Sequence, residues 1–162
     1  MYIIGIDPGI KNIGISLLEN NNQIVNLVYI SRITSQHTLP LAIIELLKKY
    51  HISRTNCVVV IECQKHISKL ITMVSYLKGY LDACKIIHVS VQPPSHGLHI
   101  KTYKERKNYS IQNCLDLINN NEIKCSDELY NELISDTRIH DISDSINMAY
   151  KYLMKYTNSN II

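Results

Sequence analysis

Hydrophobic residues in the first third of the chain fall in short alternating or continuous blocks separated by turn residues. Residues 2–7 (YIIGID) read as a buried strand ending in an acid, and Pro8-Gly9 then turns the chain. Residues 12–18 (NIGISLL) alternate Ile13, Ile15 and Leu17, which predicts a half-buried strand. Asn20 to Asn22 suit a hairpin turn, and residues 24–33 (IVNLVYISRI) form a third β-rich run. Three strands with short links predict an antiparallel meander. A helix is predicted over 39–50, opened by Pro40. Residues 57–62 (CVVVIE) are a continuous apolar run ending in Glu62, a pattern suited to a central strand buried on both faces. Leu70, Met73, Val74, Leu77, Leu81 and Cys84 make a helical stripe within 67–84, and residues 86–91 (IIHVSV) predict a fifth strand.

Residues 92–103 (QPPSHGLHIKTY) hold two Pro, one Gly and no periodicity, and read as a loop. Helical spacing returns over 104–119, is interrupted at Asn119 to Asn121, and allows a short helix over 126–134. A last helix is predicted from near Asp141 to about Tyr156, with Ile142, Ile146, Met148, Ala149 and Leu153 available for burial. The order β-β-β-α-β-α-β-α implies an α/β fold. Its five-stranded mixed sheet, an antiparallel meander followed by parallel strands, is flanked by helices. A length of 162 residues suits a single domain over 1–157, with 158–162 as a flexible tail.

Composition adds limits. Hydrophobic residues make up 46% of the chain, enough for a real core. The net charge of +3 permits a polyanionic partner without requiring one. Five Cys, an odd count with no CxxC spacing, point to reduced, mostly structural thiols and a reducing compartment. The start MYIIGIDPG has no basic n-region or long apolar stretch, so no signal peptide is expected. No segment of ~18 uncharged apolar residues is present, so no membrane span is expected.

Four acids stand at informative places: Asp7, Glu62, Asp141 and Asp144. Asp7 ends the first strand and Glu62 the fourth. If those strands are parallel neighbours, their ends lie about 5 Å apart, at the sheet edge where open α/β folds bind ligands. Asp141 and Asp144, spaced i and i+3, share one face of a helix. A helix N-terminus aimed at that edge would gather all four. Such a cluster repels itself unless cations neutralise it, and hard carboxylate oxygens favour magnesium or manganese. Two ions about 3.5 to 4 Å apart can activate a water and stabilise the leaving oxygen of a phosphodiester. Each acid also has a plainer reading. Asp7 before Pro-Gly can cap a turn, Glu62 can be a solvated strand end, and D-x-x-D at 141–144 resembles a capping box. Capping and metal binding are compatible for Asp141. The functional reading rests on all four falling where one site requires them.

Lys101, Lys104, Arg106 and Lys107 form a basic stretch interrupted by Glu105 and interleaved with Tyr103 and Tyr109. By itself this is a solvated helix start. Beside an acidic metal site it could hold phosphates and stack bases. Lys104 or Lys107 could then stabilise a pentacovalent transition state or help orient the attacking water. His96 and His99 have HxxH spacing, but no nearby acid or Cys completes a zinc set. His140 can orient a carboxylate, touch phosphate, or simply lead into the helix. Gln64 either contacts DNA or finishes its strand. One exposed edge of the 70–81 stripe could form a two-fold interface.

GIDPGIKNIGIS (5–16), VIECQ (60–64) and HDISDSINMA (140–149) together resemble the motifs of the RuvC-type Holliday junction resolvases. The DPGxKNxGIS form, the small size and the KERKNYS segment look most like the poxvirus resolvases. The resemblance spans residues 5 to 149 and implies an RNase H-like fold. It implies a homodimer that places paired, symmetric nicks across four-way and other branched DNA. It also implies two Mg²⁺ (with Mn²⁺ as a substitute) held by Asp7, Glu62, Asp141 and Asp144, a basic residue beside them, either Lys104 or Lys107, and action in the host cytoplasm. Bacterial members have a Gly-rich segment before that lysine, and QPPSHGLHIKTY departs from it.

Three rival readings carry different expectations. An actin-like or sugar-kinase ATPase also opens with a strand and a D-x-G turn, but needs two such lobes and a second phosphate loop. This chain has one D-x-G and five Gly. A non-catalytic junction-binding dimer would have no need of the full acid set. A nuclease for RNA–DNA hybrids would use the same metals, and substrate comparison separates it from a resolvase.

Overall fold

The computed structural model describes residues 1–22, 24–63, 67–91 and 102–159. Strands β1 (Tyr2–Asp7), β2 (Ile13–Asn21) and β3 (Ile24–Ile33) form the expected antiparallel meander. Asn22, between β2 and β3, has φ 50°, a left-handed conformation that Asn tolerates better than most residues. Helix α1 (Leu39–Lys49) carries Pro in its first turn, where the missing N–H goes unused. It leads to β4 (Cys57–Glu62), then α2 (Ser68–Ala83) and β5 (Ile87–Val91). Helix α3 (Tyr103–Asn119), strand β6 (Ile123–Lys124), α4 (Asp127–Ser135) and α5 (Ile139–Ser159) complete the chain order.

The sheet runs β5-β4-β1-β2-β3-β6, with β4 parallel to both β1 and β5. Helices cover both faces. One face packs Ile4, Ile6, Ile15 and Leu17 against Leu39, Ile43 and Leu47 of α1 and Leu70, Leu77 and Leu81 of α2. The other packs Ile3, Leu18 and Val60 against Cys114 of α3 and Ile142, Ile146, Ala149 and Leu153 of α5. The two cores hold the sheet rigid between them.

The architecture departs from the expected one in four places. The sheet has six strands rather than five, because Ile123 and Lys124 pair in parallel with Val25 and Asn26 of β3. Two residues are too few to show a period, yet Ile123 is fully buried. Strand β2 is buried on both faces from Ile13 to Leu18, not on one. Its second face begins Gly14, Ser16, so a buried surface built from small residues reads as polar. Helix α3 begins one residue before the predicted start: Thr102 Oγ1 accepts from Glu105 N (3.2 Å) while Thr102 N donates to the Glu105 carboxylate (2.9 Å), a capping box. Helix α5 starts at Ile139 and runs to Ser159. Asp136 begins that turn: its side chain accepts from Arg138 N (2.6 Å) and its carbonyl from Ile139 N (3.1 Å). Asp141 therefore lies inside the first turn and is not the helix cap.

Glycines let α5 lie directly on the sheet. A Cβ at Gly5 would stand 2.1 Å from the Ser145 carbonyl oxygen, and one at Gly14 would stand 1.9 Å from that of Asp141. No side chain fits in either gap. Among the described residues, no helix is long and apolar enough to cross a membrane. All five cysteines are free, and burial pushes the Cys57 and Cys114 thiols up to about 12, which leaves them unreactive at neutral pH.

Gly14→Ala is expected to lower stability by at least about 1–3 kcal/mol, the range for forced overpacking, since the opposing atom is main chain. Urea unfolding measures it; a midpoint equal to that of the unaltered chain would contradict the close contact.

Candidate active site

Ile6 of β1 pairs in parallel with Ile61 of β4, so Asp7 and Glu62 follow as the next pair at the sheet's carboxyl edge. Their carboxyl groups are close enough to act on one another directly. Burial raises the Asp7 carboxyl well above the usual carboxylate range. The charges of Glu62 and Asp144, the hydrogen bond to Glu62 and the charge of Asp141 push it further in the same direction. None of these influences on Asp7 comes from a cation.

Helix α5 brings the other two acids. Gly14 pairs with Asp7 across β1 and β2 and also lies against the Asp141 carbonyl, so the first turn of α5 sits beside Asp7. Gly5, two residues before Asp7 and on the same strand face, lies against Ser145. The helix thus follows β1 with Asp141 and Asp144 at its site end.

The two carboxylates have different neighbours. Asp141, only 8% exposed, accepts from Arg138 Nε at 2.8 Å and has His140 Nε2 at 2.9 Å and Lys107 Nζ at 4.0 Å. Asp144 accepts a hydrogen bond from Ser110 of α3. His140 also contacts Lys107. Burial lowers the His140 pKa, and the Lys107 and Arg138 charges add to this while Asp141 opposes it, which favours a neutral imidazole.

All four predicted acids therefore converge. Of the two lysines left open, Lys107 reaches the site and Lys104 is exposed and touches none of the acids. Tyr103 stands 64% exposed at the rim, with Lys107 Nζ 4.5 Å and Arg106 5.9 Å from its ring centre. Gln64, His96, His99 and Lys101 lie outside the described residues, as does 92–101 of the predicted loop.

Several residues here carried no predicted role. Arg32 Nη1 donates to Asn12 Oδ1 (3.0 Å) and its Nε to Asp136 (3.3 Å), tying the turn after β1 to the start of α5. Arg138 is the second missed basic residue; its i, i+3 spacing to Asp141 was available as a signal. Ser110, Asn113 and Asn147 were missed because isolated polar residues on helices normally face water.

The donor set fits a hard divalent cation. It offers carboxylate oxygens in excess, crowded enough that one proton is retained. Among the described residues, no three His, Cys, Asp or Glu side chains already stand as a metal cage. Asp141 is turned to Arg138 and His140, and burial with neighbouring acids raises the Asp7 carboxyl well above the usual carboxylate range.

Residues 1–156 match the family described as poxvirus A22 protein. The chain belongs to that family. A resolvase of Monkeypox virus and a Holliday junction resolvase of Vaccinia virus (strain Ankara) are each 27% identical to this A22-family chain over 162 residues, covering 98% of it and 78% of the relative. The Fowlpox virus Holliday junction resolvase superposes with a TM-score of 0.73 at 21% identity, covering 96% of this chain and 99% of its own. Thermus thermophilus RuvC superposes at 0.62 with 12% identity, covering 98% and 97%. The A22-family chain thus has the RuvC-type, RNase H-like fold anticipated from its motifs.

The raised Asp7 pKa sets a pH dependence for the metal-free protein. The native state keeps a proton that the unfolded chain, with an Asp pKa of about 3.9, has lost. Asp7 therefore weakens the fold increasingly as pH rises from about 4 through its raised folded value. In EDTA, Asp7→Asn should unfold at higher urea than the unaltered chain at pH 7, with the difference vanishing below pH 4. An Asn variant less stable at pH 7 would contradict the buried acid cluster.

Proposed function

We propose that this protein is a divalent-metal-dependent endonuclease that resolves Holliday junctions and other branched DNA by paired, symmetric hydrolysis of phosphodiesters. The observation that carries the reading is the convergence of Asp7, Glu62, Asp141 and Asp144 at one sheet edge, with Lys107 beside them. The named activities of the vaccinia and fowlpox relatives supply the substrate class.

Asp7, Glu62, Asp141 and Asp144 would hold two Mg²⁺, with Mn²⁺ as a substitute. The bound ions would activate water and offset charge on the phosphodiester oxygens. The protein's own groups do the rest. The carboxylates hold their positions because α5 rests on glycine rather than on a mobile side chain. The Lys107 ammonium is directed inward, where it can offset negative charge on a phosphoryl oxygen in the transition state. Lys104 and Arg106 face outward and meet backbone phosphates electrostatically, while exposed Tyr103 offers a stacking face. Two symmetric nicks require two such sites, which a C2 homodimer of this single-domain chain supplies on a two-fold substrate. Membership of the poxvirus A22 family supports a site of action in the host cytoplasm.

Incubation with a labelled four-way junction and Mg²⁺ should give paired symmetric nicks, absent in EDTA. Asp7→Asn and Asp144→Asn should remain folded and bind the junction but not cut it; cutting by either variant counts against the site. Lys107→Ala should slow single-turnover cleavage by about 10²-fold or more, whereas Lys104→Ala should mainly weaken binding. Cleavage of an RNA–DNA hybrid in preference to the junction would reassign the substrate. Junction affinity should fall steeply between 50 and 200 mM salt because phosphate contacts dominate, and a flat profile would contradict that.

A further inference from the structure

Helices α3 and α5 run side by side in the same sense and are joined by three polar pairs in register: Lys107 with Asp141 (4.0 Å), Ser110 with Asp144, and Asn113 with Asn147 (2.9 Å). Each step is three residues on both helices, one helical turn, so the pairs line a single seam. The first two involve candidate site groups. The third runs from half-buried Asn113 into the interior, where Asn147 is 7% and Ser110 1% exposed.

The seam has a direction. Asn113 Nδ2 donates to Asn147 Oδ1, which fixes the orientation of the Asn147 amide. Asn147 Nδ2 must then donate, and it does so to both the Ser110 carbonyl (2.9 Å) and Ser110 Oγ (3.0 Å). A hydroxyl has one proton, and with Oγ accepting from Asn147 that proton is left for Asp144 Oδ1. Buried side-chain hydrogen bonds of this kind reinforce one another and hold a unique geometry.

We propose that Ser110 is a positioning residue for the metal site, holding the Asp144 carboxylate in one orientation before a cation arrives, with Asn147 and Asn113 fixing the direction of its hydroxyl. This rests on the metal-dependent reading above. Helix α3 then serves the site twice, by carrying Lys107 and by setting the rotamer of an acid on the neighbouring helix.

Calorimetric titration of the full chain with MnCl₂, without DNA, tests the assignment. Ser110→Ala should bind Mn²⁺ about 10- to 100-fold more weakly than the unaltered chain, the usual consequence of losing a group that orients a ligand. Ser110→Cys keeps the side-chain shape with a somewhat larger and weaker donor and should also weaken binding, even if the Ala variant does not fold. Asn108→Ala, exposed on the same helix, should bind as the unaltered chain does. Unchanged Mn²⁺ affinity in the Ser110 variants, alongside binding that Asp7→Asn abolishes, would overturn the role of Ser110 and leave the metal site standing. No Mn²⁺ binding by the unaltered chain would overturn both.

Discussion

The arrangement depends on one contact, the main chain of α5 lying against Gly5 and Gly14 without intervening side chains. Gly14 is the β2 partner of Asp7, so the same residue that admits the helix also fixes its distance from the first acid. A residue with a Cβ there would push the Asp141 turn outward, and the carboxylates would no longer share a volume. The apolar cores on both faces of the sheet make this placement stiff, since neither the strands nor α5 can yield without opening packed surface.

The electrostatics run against folding. Gathering four acids beside a buried strand end destabilises the native state, and the structure shows two ways of containing this. The Asp7 carboxyl holds its proton to well above the ordinary carboxylate range. The Asp141 charge is offset by Arg138 and Lys107, with the His140 ring beside it. A divalent cation would displace the proton and compete with the bases for Asp141. The fold thus holds strain at its site that the ligand relieves, the usual location of such compromise.

Most of this was legible in the pattern of residues. β1 and β4 read as apolar runs ending in acids, and their parallel pairing then puts Asp7 and Glu62 on one edge. The i, i+3 pair on the last helix follows from spacing alone. What escaped has physical reasons. The inner face of β2 is buried through Gly14 and Ser16, which hydropathy scores as exposed. β6 is too short to have a period. The start of α5 is set by Asp136, five residues before Asp141. Lys107 and Lys104 lie one turn apart on one helix, and only the packing of α3 against α5 separates them. The Ser110–Asn147–Asn113 chain is invisible to pattern because its polar groups satisfy one another inside the protein.

The proposed activity requires these distant acids to share one cation pocket at the carboxyl edge of β1 and β4. Anomalous diffraction from crystals soaked in Mn²⁺ tests that requirement most directly. Manganese density bounded by Asp7, Glu62, Asp144 and Asp141 is the expected result. Density confined to other surfaces, with these carboxylates left unliganded at saturating Mn²⁺, would contradict it.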